Sequence, residues 1–217
     1  MRLEGQWKQI LASAVILGLF GVLGSALVAL TWSATEERIA WNQQQAFLRN
    51  VHQLLSHEEM DNNLLKDVIT VQDPELSDKP ITVYRVRKQQ QPVALIFSPI
   101  DAPGYAAPIR LIIAVRSNGV LGGVRVLSQM ETPGLGDKID ENKSDWILSF
   151  DGKSLGNPPL SRWKVKKDGG IFDQFTGATI TPRSVVKTVK TTLLYFRKHH
   201  QELFERPAES KTEPAFH

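Results

Sequence analysis

An uncharged apolar run near the N-terminus is the feature that most restricts how this chain can fold. Residues 10–30 contain no ionisable side chain, and the only polar ones are those of Ser13 and Ser25. At about 1.5 Å per residue, a helix over this run spans roughly 30 Å, the thickness of the hydrocarbon core of a bilayer. The sequence therefore predicts a single transmembrane helix at residues 9–32.

The charges on either side of this span predict its orientation. Arg2 and Lys8 precede the run, whereas two of the three charged residues at positions 36–38 are acidic. The positive-inside rule then places residues 1–8 in the cytoplasm and the rest of the chain across the membrane. A cleaved signal peptide is the alternative, although the run exceeds the usual hydrophobic region of about 7 to 15 residues. Either interpretation puts the following domain outside the cytoplasm.

Four stretches in the middle of the chain have the alternation or the β-branched content of strands. They cover residues 81–87, 93–97, 109–116 and 120–127, and a further short strand is predicted at residues 162–165. The Asn118-Gly119 pair predicts a type I′ hairpin between the last two of the four, because both central residues of that turn need positive φ. Gly122 and Gly123 predict a bulge or a close backbone approach in the second strand of the hairpin.

The remaining segments complete the predicted fold. Helical spacing predicts an amphipathic helix at residues 36–55, and residues 56–79 are expected to be irregular with short helical or strand pieces. Thr181 and Pro182 have the residue types favoured at the N-cap and first position of a helix, which is predicted to run to about Phe204. Residues 205–217 are predicted to be a disordered tail. The predicted class is α+β: a mixed, mainly antiparallel sheet with flanking helices behind one N-terminal transmembrane helix.

Composition excludes several kinds of chemistry. The chain has no cysteine, so disulfides, thiol nucleophiles, thiolate zinc sites and cysteine-ligated iron–sulfur clusters are ruled out. The formal charge of +3 is a small excess, and nucleic acid is not an expected partner. The histidines lack the spacing of a metal site, and no catalytic set of side chains is evident. Any redox chemistry must therefore come from a bound organic cofactor.

The segment Asp-Gln-Phe-Thr-Gly-Ala-Thr at residues 173–179 places a hydroxyl where few atoms shield it. Thr179 precedes the predicted final helix, and Gly177 and Ala178 let another group approach the backbone closely. A helix N-terminus favours a phosphate through its free N–H groups and its dipole. Thr179 is therefore a candidate for esterification by a phosphate. Spacing alone also fits a plain turn that ends in a helix cap.

Residues 173–179 resemble the pattern Asp-x-x-Ser/Thr-Gly-Ala-Thr of two kinds of FMN-binding domain: those in the G subunit of Rnf/Rsx complexes and those in the C subunit of the sodium-pumping NADH:quinone reductase. A second signature of these domains is similar in the same order: Gly104-Tyr105 through Pro108, then the predicted hairpin, then Glu-Thr-Pro-Gly-Leu-Gly at residues 131–136. Chain length and the run Thr-Gly-Ala-Thr-Ile-Thr-Pro-Arg are closer to the Rnf/Rsx protein. Thr176 stands where the family often has serine, which keeps the hydroxyl.

The resemblance implies a set of cofactor residues. Thr179 would hold FMN through a phosphoester, and the residues before it would be recognised by a flavin transferase. The loop at residues 131–136 would support the isoalloxazine ring, and Tyr105 would cover its other side. The residues implied in the FMN site are Thr179, Asp173, Thr176, Gly177, Ala178, Glu131, Thr132, Gly134, Leu135 and Tyr105.

The resemblance also implies a function. The chain would be a non-catalytic electron-transfer subunit of a membrane-bound, ion-translocating ferredoxin/NAD oxidoreductase complex, with the other subunits of that complex as partners. Residues 33–204 would form an FMN-binding domain on the periplasmic side of a bacterial inner membrane. The alternatives are the FMN-carrying C subunit of a sodium-translocating NADH:quinone reductase and a non-redox single-span adaptor or assembly protein.

Overall fold

The computed structural model describes residues 2–209, with side chains from residue 7 onward. The chain forms two units, one up to Phe47 and a second that begins at Leu48. Helix α1 covers Arg2–Leu54 and includes both the predicted span and the predicted amphipathic helix without an end between them. The part of α1 from Trp7 to Leu54 is long and apolar enough to cross a membrane, and its most apolar stretch is fully exposed in the structure.

The second unit is built on a five-stranded sheet that confirms the α+β class. The strands are β1 Val68–Val71, β2 Ile81–Lys88, β3 Gln91–Ala102, β4 Ile109–Arg116 and β5 Leu121–Ser128. They lie in the sheet in chain order, and every neighbouring pair is antiparallel. Strand β1 lies within the segment that was expected to be irregular with short pieces. The long helix α2, Ile180–Glu205, follows the sheet.

Five short 3-10 helices occupy the connections among the described residues. Their bounds are His57–Glu59, Gly136–Ile139, Asp145–Phe150, Leu160–Arg162 and Lys166–Asp168. The strand predicted at residues 162–165 is therefore wrong. Val165 forms a single parallel bridge to Phe172, and Trp163 and Val165 are buried among aromatic side chains. The alternation at these positions reflects burial of every second side chain against a core, which does not require a sheet neighbour.

The hairpin between β4 and β5 is present, but its turn differs from the prediction. Gly119 has a φ of +79°, whereas Asn118 does not have positive φ, and the Gly119 N–H donates to the Arg116 carbonyl at 2.8 Å. A left-handed glycine that follows a tight turn gives a hairpin with a glycine bulge rather than a type I′ turn. Positive φ at two successive residues occurs instead at Gln89 and Gln90, between β2 and β3.

Helix α2 begins earlier than predicted. Its N-cap is Thr179 rather than Thr181, and Ile180 is the first helical residue. The Arg183 N–H closes the first turn on the Thr179 carbonyl at 3.4 Å. Thr181 cannot serve as the cap because its side chain is buried and its hydroxyl donates to Glu131. Pro182 remains within the first turn, where its missing N–H costs the helix no internal bond.

Both faces of the sheet are covered. Apolar side chains of α2, including Val185, Val189 and Leu193, belong to one core cluster with inward side chains of β3 and β4. On the other face, a Cβ added at Gly122 would lie 2.9 Å from the Leu54 carbonyl oxygen and from the Leu55 side chain. The predicted close approach at Gly122 is therefore confirmed. The sheet register also shifts between Ala114 and Val115, opposite this part of β5.

The first residues of the predicted tail contact strand β1. The Glu209 N–H donates to the Val68 carbonyl at 2.8 Å, and the Thr70 hydroxyl donates to Glu209 at 2.6 Å. The buried Arg85 guanidinium donates to the Arg206 carbonyl. Residues 206–209 thus complete the edge of the sheet. The remainder of the predicted tail, residues 210–217, lies outside the described residues.

Candidate functional site

The two motif segments meet at Leu135 and Gly177. Gly177 has a φ of +84°, and a Cβ added there would lie 3.3 Å from Leu135 Cδ2. Gly177 is the third residue of a turn closed by the Ala178 N–H on the Phe175 carbonyl at 3.2 Å. Positive φ at the third position is what a type II turn requires, and glycine adopts it without steric cost. The Thr-Gly-Ala-Thr turn therefore packs against the tip of the loop at residues 131–136.

Glu131 joins three segments of the site. Its side chain is buried, one oxygen accepts from the Tyr105 N–H at 2.8 Å, and the other accepts from the Thr181 hydroxyl. A Cβ added at Gly136 would lie 2.6 Å from Glu131 Oε2, and one at Gly104 would lie 2.7 Å from Glu131 Oε1. Both glycines thus make room for the carboxyl group. Glu131 fixes the Gly104-Tyr105 turn and the start of α2 to its own loop.

An aromatic cluster holds the beginning of the 173–179 segment. The Trp146 indole N–H donates to the Asp173 carbonyl at 2.8 Å, and the Trp146 and Phe175 rings meet edge to face at 5.3 Å between centroids. Phe172 stacks on Phe150 at 4.5 Å. Because Phe172 and Phe175 are both anchored in the core, the turn between Phe175 and Ala178 is carried on a rigid base.

The Thr179 hydroxyl is available for chemistry. Thr179 is partly buried at the N-cap of α2, and its side chain makes no capping hydrogen bond. The first N–H groups of a helix have no partner within the helix, and the helix dipole makes this end electropositive. Pro182 has no N–H and the Arg183 N–H bonds to the Thr179 carbonyl, so the N–H groups of Ile180 and Thr181 are the donors of this turn that suit a phosphate group.

Two ion pairs border this end of α2. Lys166 Nζ lies 2.5 Å from Asp173 Oδ1, and Arg183 donates to both oxygens of Asp168 at 2.6 and 2.7 Å. The Arg183 guanidinium, aided by the charges of Lys164 and Lys167, holds the pKa of Asp168 below its usual range. Asp168 also raises the pKa of Arg183. Both pairs are exposed, so they fix local geometry more than they stabilise the fold.

Exposed apolar side chains lie on the segments that Glu131 and Leu135 bring together. They are Tyr105, Met130, Leu135 and Ile180, which are 73, 75, 40 and 55% exposed. Thr132 and Gly134 are exposed at the tip of the same loop. Exposed apolar side chains that are grouped on adjoining segments can mark a binding surface, whereas single ones are common on any protein. The surface next to Thr179 can therefore offer apolar contact to a ring.

The structure assigns different positions to the predicted site residues. Leu135 and Gly177 are in contact, and the Tyr105 backbone is tied to Glu131, while the Tyr105 ring is free in solvent. Asp173 and Thr176 are exposed, and Ala178 is partly buried. Both oxygens of Glu131 accept hydrogen bonds from the protein, so Glu131 supports the site from within.

Three residues at the site were missed from the sequence: Asp137, Trp146 and Thr181. Asp137 is buried, and its Oδ1 accepts no hydrogen bond from the described residues. Trp146 and Thr181 bond to the two motif segments as given above. Asp137 directly follows the motif at residues 131–136, and this position is a signal that could have identified it. No local sequence pattern indicates that Trp146 holds the 173–179 segment.

These residues fit an FMN group joined through its phosphate. Thr179 offers a hydroxyl that no cap bond occupies, and the first turn of α2 offers backbone donors to phosphate oxygens. Gly134 has open space around the position of a Cβ, and the neighbouring Leu135 offers an apolar side chain. The donor set and the apolar surface therefore lie on adjoining segments.

Comparison with known proteins identifies an FMN-binding domain in the part of the chain that carries these segments. Residues 104–194 match the family model described as FMN-binding domain, and residues 1–54 match the model described as RnfG N-terminal region. The first match begins at the Gly104-Tyr105 turn and ends in α2, so it includes both motif segments. The second match ends at the last residue of α1.

Curated relatives cover almost the whole chain. The chain is 46% identical to the G subunit of an ion-translocating oxidoreductase complex of Shewanella loihica, over 93% of this chain and 96% of the relative. It is 42% identical to the corresponding protein of Vibrio cholerae, over 90 and 94%, and 40% identical to that of Pseudoalteromonas atlantica, over 96 and 98%.

Fold and site together define an α+β FMN-binding domain that follows a long apolar N-terminal helix. The chain belongs to the RnfG family, the G subunits of ion-translocating oxidoreductase complexes.

Proposed function

We propose that this chain is an electron-transfer subunit that carries FMN in a phosphoester on Thr179, within an ion-translocating ferredoxin/NAD oxidoreductase complex. The observation that carries the proposal is the Thr179 hydroxyl, which is free of a cap bond at the start of α2 beside the Leu135–Gly177 contact. FMN supplies reversible uptake and release of electrons, for which the protein's own side chains have no substitute.

The protein's contribution is to hold and shield the flavin. The first turn of α2 binds the phosphate oxygens through backbone N–H groups. Leu135 would give apolar contact to the ring, Tyr105 would cover its other side, and Thr132 and the backbone at Gly134 would give polar contacts. Glu131 keeps these segments in register through its bonds to Tyr105 and Thr181.

Attachment takes place on the periplasmic side of the inner membrane through a separate flavin transferase. This enzyme recognises the segment that contains Asp173, Thr176, Gly177 and Ala178. The first three are exposed, and Ala178 is partly buried. The donor is a flavin dinucleotide: Thr179 Oγ1 attacks the phosphorus that bears the flavin, the bond from this phosphorus to the bridging oxygen breaks, and the nucleoside monophosphate leaves as the hydroxyl proton is released. Alkaline phosphatase fused after residue 209 tests the orientation, because that enzyme is active only after export.

Fluorescence on a denaturing gel tests the covalent site. The full chain is produced together with the flavin transferase and exported, and the band is expected to fluoresce as flavins do. Intact mass should equal the chain plus FMN less one water. Thr179→Ala should lose both signals, while Thr179→Ser should retain them because serine keeps the hydroxyl.

Thr191→Ala is the matched control, since it removes a hydroxyl from the same helix at a partly buried position. It should keep the full signal. Fluorescence that persists in Thr179→Ala, or a wild-type chain that carries no flavin under these conditions, would show that the proposed attachment is wrong.

A further inference from the structure

A row of cations leads into the Thr179 segment. Arg162, Lys164, Lys166 and Lys167, hereafter the basic row, are all exposed, whereas Trp163 and Val165 between them are buried. The Trp163 indole N–H donates to the Pro158 carbonyl at 3.1 Å. Val165 is bridged to Phe172. Because Trp163 and Val165 are held in the core, the cationic side chains on either side of them project into solvent.

The basic row is connected directly to the proposed flavin segment. Lys166 pairs with Asp173, and the Lys167 N–H donates to the Gln174 side chain at 3.2 Å. Asp168, at the end of the row, pairs with Arg183 on the first turn of α2. The row therefore has a fixed place beside the turn that precedes Thr179.

The segment that carries the basic row is rich in cations. Residues 162–183 contain five basic and two acidic side chains, a net +3 that equals the formal charge of the whole chain. Within the described part of the chain, Arg162, Lys164 and Lys167 form no ion pair within 4 Å, so their charges face solvent.

We infer that the basic row is a docking surface for an acidic face of the protein that exchanges electrons with the flavin on Thr179. This inference rests on the proposed function and specifies the chemistry of the redox partner. Complementary charge raises the rate of encounter and sets orientation more than it adds affinity. Redox encounters commonly use small interfaces, for which a row of this size is sufficient.

A protein fits the surface better than an anionic lipid layer. Asp168 and Asp173 lie among the cations, and a uniformly negative surface would repel them, whereas a protein can place a matching charge beside each. Trp163 is buried, so it cannot enter a headgroup region as interfacial aromatic residues do. The three free cations would add only about 1 kcal/mol each to lipid binding.

The test uses the intact complex in nanodiscs of zwitterionic lipid, with flavin absorbance followed by stopped flow as electrons are supplied and withdrawn. The rate of electron exchange at the Thr179 flavin should fall as salt is raised, because added ions screen the attraction between the basic row and the acidic face of the partner subunit. Lys164→Glu with Lys167→Glu should give a slow rate that depends little on salt. Lys164→Arg with Lys167→Arg should restore the fast, salt-sensitive rate.

Lys66→Glu with Lys88→Glu is the matched control, because it changes net charge equally at two exposed positions. Lys88 is the last residue of β2 and lies at the same end of the sheet as Arg116, the last residue of β4. Tyr105 follows β3 and Glu131 follows β5, at the opposite end of the strands. This control should exchange electrons as the wild type does.

Carbodiimide cross-linking identifies the partner's chemistry, since it joins a lysine amine to a carboxyl group with no spacer. Lys164 or Lys167 should form a cross-link with an aspartate or glutamate of another subunit of the purified complex. The arginine variant should lose the cross-link and keep the rate.

Flavin content measured in each variant separates this inference from the proposed function. A wild-type chain without flavin on Thr179 overturns the proposed function. If the glutamate variant is fully flavinylated and matches the control in rate and salt dependence, the docking surface is wrong. Absence of any cross-link to another subunit would also overturn the docking surface. A rate of electron exchange that requires anionic lipid would overturn it too, and would indicate that the basic row binds the membrane.

Discussion

The Leu135 side chain lies against the bare backbone of Gly177, where an added Cβ would sit 3.3 Å from Leu135 Cδ2. This contact joins the two loops that carry the flavin-site residues. Two features favour glycine at position 177: its φ of +84° disfavours other residues, and an added Cβ would make a tight contact with the Leu135 side chain.

Gly177→Ala should therefore lower both stability and flavin content. The left-handed backbone alone costs about 1–2 kcal/mol, and the Leu135 side chain must shift by a few tenths of an ångström to admit the Cβ. Gly152→Ala is the control, because Gly152 has a φ of +73° and open space around the position of its Cβ. Chemical unfolding and in-gel flavin fluorescence measure the two effects. Equal flavin content in both variants would show that the contact does not shape the site.

The Glu131–Thr181 hydrogen bond is predicted to couple the second motif to α2. Glu131→Ala leaves the Tyr105 N–H and the Thr181 hydroxyl without their acceptor. The hydroxyl is buried, and a buried unsatisfied donor costs about 1–3 kcal/mol, whereas Tyr105 is exposed and its N–H can bond to water. Thr181→Val removes only one bond and keeps the side-chain shape. The two single variants and the double variant form a cycle, in which a coupling of about 1–3 kcal/mol in the free energy of unfolding is expected.

Glu131→Gln distinguishes geometry from charge in the same pair. The glutamine oxygen can still accept from Tyr105, and its amide can donate to the Thr181 hydroxyl, which reverses its role. Flavin content close to that of the wild type is expected in this variant. Glu131→Ala, which removes both acceptors, should lower flavin content. If Glu131→Gln lowers flavin content by as much, the carboxyl group acts on the flavin itself.

The parts of the fold that follow from local pattern could be predicted from the sequence. Strands β2, β4 and β5 have clear alternation or β-branched content, and the Asn118-Gly119 pair indicated the hairpin between β4 and β5. The turn at Gln89 and Gln90 could not be predicted, because neither residue favours positive φ and the flanking strands impose it. The error at residues 162–165 has a related cause, since alternation there records burial against an aromatic cluster.

The candidate site was also only partly predictable from the sequence. Its two motifs were evident in the sequence, and so was the free hydroxyl of Thr179. The internal role of Glu131 could not be predicted, because it depends on Thr181 fifty residues away. The burial of Thr181 also explains why its favourable residue type gave the wrong N-cap.

The end of the chain should matter for stability up to residue 209. A chain that ends at Glu205 loses the Arg206 carbonyl bonded to the buried Arg85 and the Glu209 contacts with β1. We expect the free energy of unfolding to fall by about 1–3 kcal/mol, the cost of leaving a buried charged donor with fewer acceptors. A chain that ends at Glu209 is the control. Equal stability of the two truncated chains would contradict a structural role for residues 206–209.

Tyr84 is predicted to limit stability at high pH. Burial raises the pKa of Tyr84 to about 12, whereas an unfolded tyrosine ionises near pH 10. Since the folded state holds the phenol neutral, its contribution is complete below about pH 10 and is lost as pH rises through the folded pKa. A difference of two pKa units corresponds to roughly 2–3 kcal/mol. Burial also raises the pKa of Tyr195 to about 12, so it acts in the same direction.

Tyr84→Phe removes the ionising group from β2 with little change in shape. Urea unfolding of the full chain in detergent, compared at pH 8 and pH 11, should show a smaller alkaline loss in the variant than in the wild type. The comparison within each protein cancels any packing difference that is present at both pH values. Tyrosinate absorbance should show one late-ionising group fewer in the folded variant. An alkaline loss equal to that of the wild type would mean that Tyr84 ionises without unfolding the domain.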